Sequence, residues 1–262
     1  MKVVLLCGGQ GTRIRDVSEV LPKPMLPIGN MPIIWHIMKA YSFCGFNDFV
    51  LCLGYKGWLI KEFFLNYAAK TCDLKLDLSS GNVTYYGQTR EKEWKITLVE
   101  TGEKSQTGAR IWNAREYLKG CGTFSVTYGD GVSDVNISAV LKTHKASKMK
   151  GTVSGVHPSG RFGELEVSGN RIKEFNEKPN VGKGMINGGF MFFEESALEK
   201  YFQGGSNLIL EKDVLPKMVR DNQLGVYRHK GFWQCVDTSR EYILLNEMWR
   251  NNKAPWKTWG TK

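Results

Sequence analysis

Residues 3–14 read VVLLCGGQGTRI, a run of apolar residues that passes into three glycines and then an arginine. Four consecutive apolar residues bounded by glycine are typical of a strand that is buried on both faces, as in a parallel sheet. Gly8, Gly9 and Gly11 can adopt backbone conformations that other residues avoid, and they allow close approach to their N–H groups. The stretch therefore predicts a buried strand and a tight loop at its carboxyl end.

Strand-like and helix-like stretches alternate beyond this loop. The strand-like stretches lie at 48–54, 94–102, 122–131 and 150–156, and the helix-like stretches at 31–46, 56–70, 109–120 and 137–148. Parallel neighbours need a crossover of about a dozen residues, which these helices supply. The pattern predicts an α/β fold, a Rossmann-like open sheet that is mixed but mostly parallel, with helices on both faces.

The second half of the chain has a different rhythm. Residues 161–179, RFGELEVSGNRIKEFNEKP, predict a β-hairpin that turns at 168–170. The polar segment 71–93 is an insertion for which a β-arm and a loop both remain open. Trp256 and Trp259 stand in an otherwise polar tail, so we expect this tail to pack on its own domain or on a neighbouring subunit.

Composition limits the class of protein. The 262 residues are 42% hydrophobic and 24% charged, and no apolar run approaches the ~18 residues that a membrane span needs. The six cysteines show no CxxC spacing, so we expect reduced thiols and a cytoplasmic location. The net charge of +10 suits nucleic acid, an anionic membrane or small polyanions. Because the basic residues are dispersed, we expect small anions as partners, and neither nucleic acid nor a membrane.

The glycine loop is followed by cations. Arg13 and Arg15 leave the same turn, and Lys23 lies between Pro22 and Pro24, whose fixed φ angles stiffen its position. Together these residues predict a polyphosphate-binding loop. Its spacing is neither the dinucleotide GxGxxG motif nor a P-loop. A tight glycine turn with surface cations is the structural alternative.

Several motifs in order resemble one enzyme family. GGQGTRIR and LPKPMLPIGNMPIIWHIM are followed by YGDG (128–131), EKP (177–179), INGGFMFF (186–193) and GFWQCVDT (231–238). The chain resembles the bacterial sugar-1-phosphate nucleotidylyltransferases over essentially its whole length. TLVETG, GRFGEL and the tail KAPWKTW are most similar to the cytidylyltransferases of that family that act on glucose 1-phosphate. The resemblance implies the nucleotide-diphospho-sugar transferase type of Rossmann-like fold.

The resemblance also implies a reaction and its partners. A sugar 1-phosphate, α-D-glucose 1-phosphate or a close relative, would attack the α-phosphorus of CTP, giving a CDP-sugar and pyrophosphate, with Mg²⁺ as cofactor. The implied single domain, 1–262, has a nucleotide-binding half at about 1–150, a sugar-binding half at about 151–240 and a C-terminal helix and tail at 241–262. We also expect a homo-oligomer.

By the same resemblance, each motif residue has an expected role. The catalytic residues are Arg13, which neutralises the departing pyrophosphate, and Lys23, which contacts the reacting phosphates. The nucleotide-binding residues are Leu6, Gly8, Gly9, Gly11, Thr12, Arg13, Lys23, Thr107, Gly108, Arg110 and Asp130. The sugar-binding residues are Tyr128, Gly163, Glu177, Lys178, Asn187 and Gly188. The expected metal ligands are Asp130 and Asp237, because carboxylate and phosphate oxygens suit Mg²⁺.

Alternatives remain open at this stage. Asp130 in a GDG sequence is also a common turn former, and EKP with INGGF could be a charged hairpin end and a glycine bulge. UTP or dTTP could replace CTP, another phosphorylated acceptor could replace the sugar phosphate, and a catalytically silent regulatory subunit could share the fold. Ala109 stands where the family frequently has a second glycine, and this difference bears on the shape of the base pocket and so on which nucleotide it accepts.

Overall fold

The structure of this protein is a computed structural model. It describes residues 1–9, 21–158, 164–168, 171–176 and 184–260. The strands, in chain order, are β1 (Lys2–Leu6), β2 (Pro27–Ile28), β3 (Met31–Pro32), β4 (Asp48–Leu53), β5 (Asp73–Leu76), β6 (Val83–Tyr86), β7 (Lys95–Glu100), β8 (Thr123–Tyr128), β9 (Gly131–Ser133), β10 (Gly151–Val156), β11 (Glu164–Ser168), β12 (Arg171–Asn176), β13 (Ile186–Glu194), β14 (Leu224–Arg228) and β15 (Trp233–Cys235).

One sheet organises the described residues. Seven of their strands form it, in the order β14-β10-β13-β8-β1-β4-β7. β1 pairs in parallel with both β4 and β8, and β4 pairs in parallel with β7. β13 runs antiparallel to β8 and β10, and β14 is parallel to β10. The sheet is therefore mixed but mostly parallel, which confirms the predicted fold class.

Helices cover both faces of this sheet. They are α1 (Ile33–Phe43), α2 (Gly57–Leu65), α3 (Tyr67–Thr71), α4 (Thr107–Asn113), α5 (Ile137–Ser147), α6 (Ser196–Tyr201), α7 (Leu215–Arg220) and α8 (Ser239–Arg250). Side chains alternate along β1, so Val3 and Leu5 join a core with α1 and α5, while Val4 and Leu6 join a second core with α4 and α6. All four are buried, which explains the unbroken apolar run of the sequence.

Two predicted helices are shorter than their sequence patterns. The stretch 56–70 is divided at Asn66, where α2 ends: its backbone N–H and its side-chain amide both donate to the Glu62 carbonyl. The stretch 109–120 ends its α-helix at Asn113 and continues as a 3₁₀ turn over Arg115–Leu118. The elements exist where the sequence predicts them, but the helical periodicity does not show where each one ends.

The described parts of the predicted hairpin, of the insertion and of the tail can be compared with what the sequence predicts. β11 and β12 pair antiparallel, with Ser168 opposite Arg171, as the predicted hairpin requires. The insertion at 71–93 contains a β-arm, in which β5 and β6 pair antiparallel. In the tail, Trp256 is buried and its ring packs against Phe232 and Trp249 of the same chain, so the tail packs on its own domain.

Candidate active site

A pocket opens at the carboxyl edge of the parallel strands, where β1, β7 and β8 end. Its lining residues come from the glycine loop, the proline segment, the start of α4 and the end of β8, namely Leu6, Cys7, Gly8, Gly9, Lys23, Pro24, Ser105, Gln106, Thr107, Arg110, Tyr128, Gly129 and Asp130. This is the edge at which open α/β sheets bind their ligands. Most predicted nucleotide-binding residues within the described chain therefore meet in one cavity.

Arg110 fastens the loops on one side of this pocket. Its side chain is buried, and its guanidinium donates hydrogen bonds to the carbonyls of Gly8 (2.9 Å), Leu53 (2.9 Å) and Gly102 (2.8 Å). A Cβ atom at Gly8 would lie 2.1 Å from a guanidinium nitrogen of Arg110. Gly8 is thus required for close packing by this buried cation, whereas a Cβ at Gly9 would meet no atom within 4 Å among the described residues.

Lys23 stands in the turn that its two prolines predict. Residues Lys23–Met25 form a 3₁₀ turn, with Pro22 extended before it and Pro24 buried within it. A Cβ at Gly129 would lie 3.0 Å from the Pro24 ring, so this glycine lets the end of β8 approach the lysine turn. The two segments are brought together by packing rather than by neighbouring sequence.

A short two-stranded ladder brings the two predicted metal carboxylates together. Asp130 precedes β9 and Asp237 follows β15, and these strands pair antiparallel with Gly131 opposite Cys235. The Val236 N–H also donates a hydrogen bond to the Asp130 carbonyl over 2.8 Å. The Lys23 Nζ atom lies 2.6 Å from Asp237 Oδ1 and 3.5 Å from Asp130 Oδ2.

The charges of this trio influence one another. Burial raises the pKa of Asp130, the Lys23 ammonium opposes that rise, and the Asp237 carboxylate adds to it. Burial acts to lower the pKa of Lys23, but the two carboxylates outweigh it, and the pKa lies above its usual value. Within the described residues, no group of three or more His, Cys, Asp or Glu side chains forms a metal site. The cation between the two carboxylates is the ammonium of Lys23.

The start of α4 is covered by the segment that follows residue 205. The Gln106 N–H donates to the Ser206 carbonyl, and the Ala109 N–H donates to the Leu208 carbonyl. A Cβ at Gly108 would lie 3.0 Å from the Leu208 side chain, so the glycine permits this contact. The Thr107 hydroxyl donates to Glu211 Oε2 over 2.7 Å.

The predicted sugar-binding wall lies where β13 passes the end of β8. The Asn187 side-chain Nδ2 donates to the Tyr128 hydroxyl over 3.3 Å, and its side-chain Oδ1 accepts from the Gly189 N–H. Gly189 has φ +83°, and a Cβ there would lie 2.4 Å from the Tyr128 ring. The ladder between β10 and β13 is irregular here, so a glycine bulge is present and it orients Asn187 toward Tyr128.

Known proteins are similar to this chain in sequence and in fold. The sequence profile described as nucleotidyl transferase matches residues 2–251. The chain belongs to the nucleotidyl transferase family. The glucose-1-phosphate cytidylyltransferase of Salmonella typhi is 41% identical over 259 residues, which are 99% of this chain and 100% of that protein. The predicted family and enzyme class are confirmed.

Solved structures of similar proteins share the fold. HddC from Yersinia pseudotuberculosis is 23% identical with a TM-score of 0.67, and the match covers 94% of this chain and 98% of that one. An apo UDP-glucose pyrophosphorylase is 18% identical with a TM-score of 0.65, covering 97% and 99% of the two chains.

In the part of this nucleotidyl transferase that the structure describes, no helix has the length and apolar character needed to cross a bilayer.

The structure brings some predicted site residues together and does not describe others. The predicted residues that line the pocket are Leu6, Gly8, Gly9, Lys23, Thr107, Arg110, Tyr128 and Asp130. Asn187 contacts Tyr128, Asp237 contacts Lys23, and Gly108 packs closely against Leu208. The Gly188 carbonyl accepts a hydrogen bond from the Trp233 indole. The residues predicted to bind substrate that lie outside the described ranges are Gly11, Thr12, Arg13, Gly163, Glu177 and Lys178. Their roles, and the substrate contacts of the others, stay predictions.

Two residues of this nucleotidyl transferase site were missed from the sequence. Glu241 accepts hydrogen bonds from the Asp237 and Thr238 N–H groups, and with Thr238 it forms a capping box at the start of α8. The Thr-x-x-Glu spacing at 238–241 is a recognisable helix-start signal that could have found it. Glu211, which contacts Thr107 and Tyr128, has no comparable local signal.

Proposed function

We propose that this nucleotidyl transferase joins CTP and α-D-glucose 1-phosphate to give CDP-glucose and pyrophosphate. A phosphate oxygen of the sugar phosphate bonds to the α-phosphorus of CTP, and the bond from that phosphorus to the bridging oxygen of pyrophosphate breaks. The full-length similarity to the Salmonella typhi glucose-1-phosphate cytidylyltransferase carries this proposal. The pocket at the carboxyl edge of the sheet supports it independently.

Charge is the main obstacle to this reaction, since both substrates are anions. The attacking oxygen is already ionised, so the reaction needs no general base, and catalysis depends on positioning and on charge stabilisation. The glycine loop offers backbone N–H groups, and Lys23 is the described cation whose ammonium lies within the pocket beside the carboxylates. We propose that Arg13 neutralises the departing pyrophosphate and that Lys23 contacts the phosphates that react.

Asp130 and Asp237 fit a divalent cation of the Mg²⁺ type. Their carboxylates already share one positive charge, that of Lys23, and carboxylate oxygens together with phosphate oxygens are the ligands that Mg²⁺ prefers. When bound, Mg²⁺ would neutralise phosphate charge at the reacting centre. The hydrogen bond from the Asp237 N–H to Glu241 holds the Asp237 backbone at the start of α8, which supports Asp237 as one of the proposed ligands.

On the sugar side, we propose that Tyr128, Asn187 and Gly188 bind glucose hydroxyls, together with Gly163, Glu177 and Lys178. Asn187 is oriented by its contacts with Tyr128 and the Gly189 N–H, so its amide is held in one orientation. Groups fixed in this way discriminate among sugars better than mobile ones, because their hydrogen-bonding directions are set before the ligand binds.

A panel of triphosphates crossed with a panel of sugar 1-phosphates tests the proposed substrates. Purified protein is incubated with Mg²⁺ and each pair, and pyrophosphate release is measured. We expect CTP with glucose 1-phosphate to give the highest kcat/KM. A preference for UTP or dTTP would keep the reaction and reject the nucleotide, whereas no release with any pair would indicate the silent regulatory subunit.

We propose a homo-oligomer, with the β-arm as part of its interface. In the β5–β6 pair, Leu74 lies opposite Tyr85 and Leu76 opposite Val83, so these four residues share one face. They are 41–50% exposed, and a lone two-stranded hairpin is only marginally stable in water. A second copy of the same apolar face is self-complementary in chemistry and would cover it.

Light scattering after gel filtration tests this interface. We expect Leu76→Lys with Val83→Lys to lower the molar mass of the native particle, and Thr84→Lys on the opposite face of the arm to leave it unchanged. A monomeric wild-type protein would reject the proposal.

We also propose a cytoplasmic location, supported by six unpaired cysteines, which cell fractionation would test.

A further inference from the structure

A carboxylate at the mouth of the pocket connects its two predicted halves. Glu211 belongs to a π-helical turn over Leu210–Val214 that follows the segment packed on α4. One of its oxygens accepts a hydrogen bond from the Tyr128 hydroxyl, on the sugar side, and the other accepts from the Thr107 hydroxyl, on the nucleotide side. π-Helical turns are rare in proteins, and those that occur are often found at functional sites.

The hydroxyl groups of Tyr128 and Thr107 already make most of the hydrogen bonds that a hydroxyl can form. A hydroxyl has one proton to donate and two positions at which it can accept. Tyr128 donates its proton to Glu211 and accepts from the Asn187 amide; Thr107 donates to Glu211 and accepts from the Leu210 N–H over 2.9 Å. Each hydroxyl therefore keeps one position, and that position is an acceptor.

The surroundings hold the two hydroxyl groups in one arrangement. A phenol is protonated at neutral pH, so the Tyr128 hydroxyl is the donor in its hydrogen bond to the Glu211 carboxylate. The Tyr128 ring is fixed by its close contact with Gly189. Asp213 holds the turn itself, because its Oδ2 atom accepts from the Ile209 N–H over 2.7 Å.

We propose that Glu211 is a positioning residue that sets the hydrogen-bond polarity of the substrate pocket. By accepting hydrogen bonds from the Tyr128 and Thr107 hydroxyls, it leaves both oxygens to act as acceptors, one for a hydroxyl of the sugar phosphate and one for a donor group of the nucleotide. This inference rests on the proposed function for the identity of the two substrates. Glu211 acts through its two partners, and its substitution affects both substrates at once.

Steady-state kinetics on the full-length protein test this role. In Glu211→Gln we expect the KM values for the nucleotide and the sugar phosphate each to rise roughly tenfold, with a smaller change in kcat, since a charge-assisted hydrogen bond is lost on each side. Tyr128→Phe raises the KM for the sugar phosphate alone, and Thr107→Val raises that for the nucleotide alone. Asp213→Asn is the matched control in the same turn: it removes a carboxylate, but the asparagine oxygen still accepts from the Ile209 N–H, so the turn and both KM values are kept.

Double variants separate a positioning role from a merely structural one. The double variant of Tyr128→Phe with Glu211→Gln is expected to show no higher KM for the sugar phosphate than Tyr128→Phe alone, because both changes remove the same interaction. Additive effects, unchanged KM values in Glu211→Gln, or equal losses in Asp213→Asn would overturn the inference. A wild-type protein that turns over another nucleotide rejects only the proposed substrate, and the cycle is then run with that nucleotide.

Discussion

At the scale of single residues, the pocket has one lysine ammonium beside two carboxylates. Lys23 is 12% exposed at its side chain and contacts Asp130 and Asp237, so its charge is partly compensated before any substrate binds. The role that we propose for Lys23 is in chemistry, and its charged contacts are the two carboxylates at the pocket. Its replacement therefore separates activity from folding.

We expect Lys23→Met to fold and to lose about 10²–10³-fold or more in kcat, which is typical when a preorganised charge contact is removed. Pyrophosphate release measures the rate and circular dichroism measures the fold. Lys39→Met is the matched control, because Lys39 is a partly buried lysine that pairs with Glu91 away from the pocket. A folded Lys23→Met protein with the wild-type rate would exclude Lys23 from catalysis.

The glycine loop gives a second test at the residue scale. Gly8→Ala places a methyl group 2.1 Å from the buried Arg110 guanidinium, so either the loop or the arginine must move. We expect a loss of a few kcal/mol in the free energy of unfolding, since hydrogen bonds to buried carbonyls are broken. Gly9→Ala, which meets no described atom within 4 Å, is the control. Equal urea midpoints for the two variants would contradict this account of Gly8.

At the scale of elements, α1 and the C-terminal tail share a buried histidine. His36 contacts the Ile28 carbonyl through Nε2 and the Trp256 indole N–H through Nδ1. Its ring also packs edge-on against Trp249. Burial lowers the pKa of His36 to about 4, although its backbone hydrogen bonds oppose the change. The histidine is therefore neutral in the folded protein and accepts a proton more readily once unfolded.

The free energy of unfolding should consequently depend on pH at this element. The unfolded state binds a proton below about pH 6.5 and the folded state only near pH 4, so stability is present above pH 6.5 and is lost as the pH falls toward 4. Between these two pH values, the protonation of His36 lowers the free energy of unfolding by roughly 3 kcal/mol. Urea unfolding of wild type and His36→Gln over this pH range measures it. A difference between the two proteins that stays constant with pH would refute the assignment.

At the scale of the whole molecule, 36 basic and 26 acidic residues give a net charge of +10. The substrates are anions, and a positive protein attracts them over a distance that salt shortens. We expect kcat/KM for the nucleotide to fall severalfold between about 20 mM and about 300 mM KCl, with kcat less affected. Sucrose at matched viscosity is the control. An unchanged kcat/KM would show that long-range charge has no part in binding.

The sequence by itself determined the alternation of strands and helices, the glycine loop and the proline-framed Lys23, because each follows from neighbouring residues. Only the tertiary structure decided the rest. Asp237 meets Lys23 across 214 positions, Glu211 meets Thr107 across 104, and Arg110 meets the Gly8 carbonyl across 102. Contacts of this kind depend on which strands pair and which loops pack together, and a turn containing Glu211 carries no local pattern that reveals its partners. Local chemistry thus predicted the elements, and the resemblance to a known family supplied most of the expected site residues, whereas sheet order and packing decided what the described ones contact.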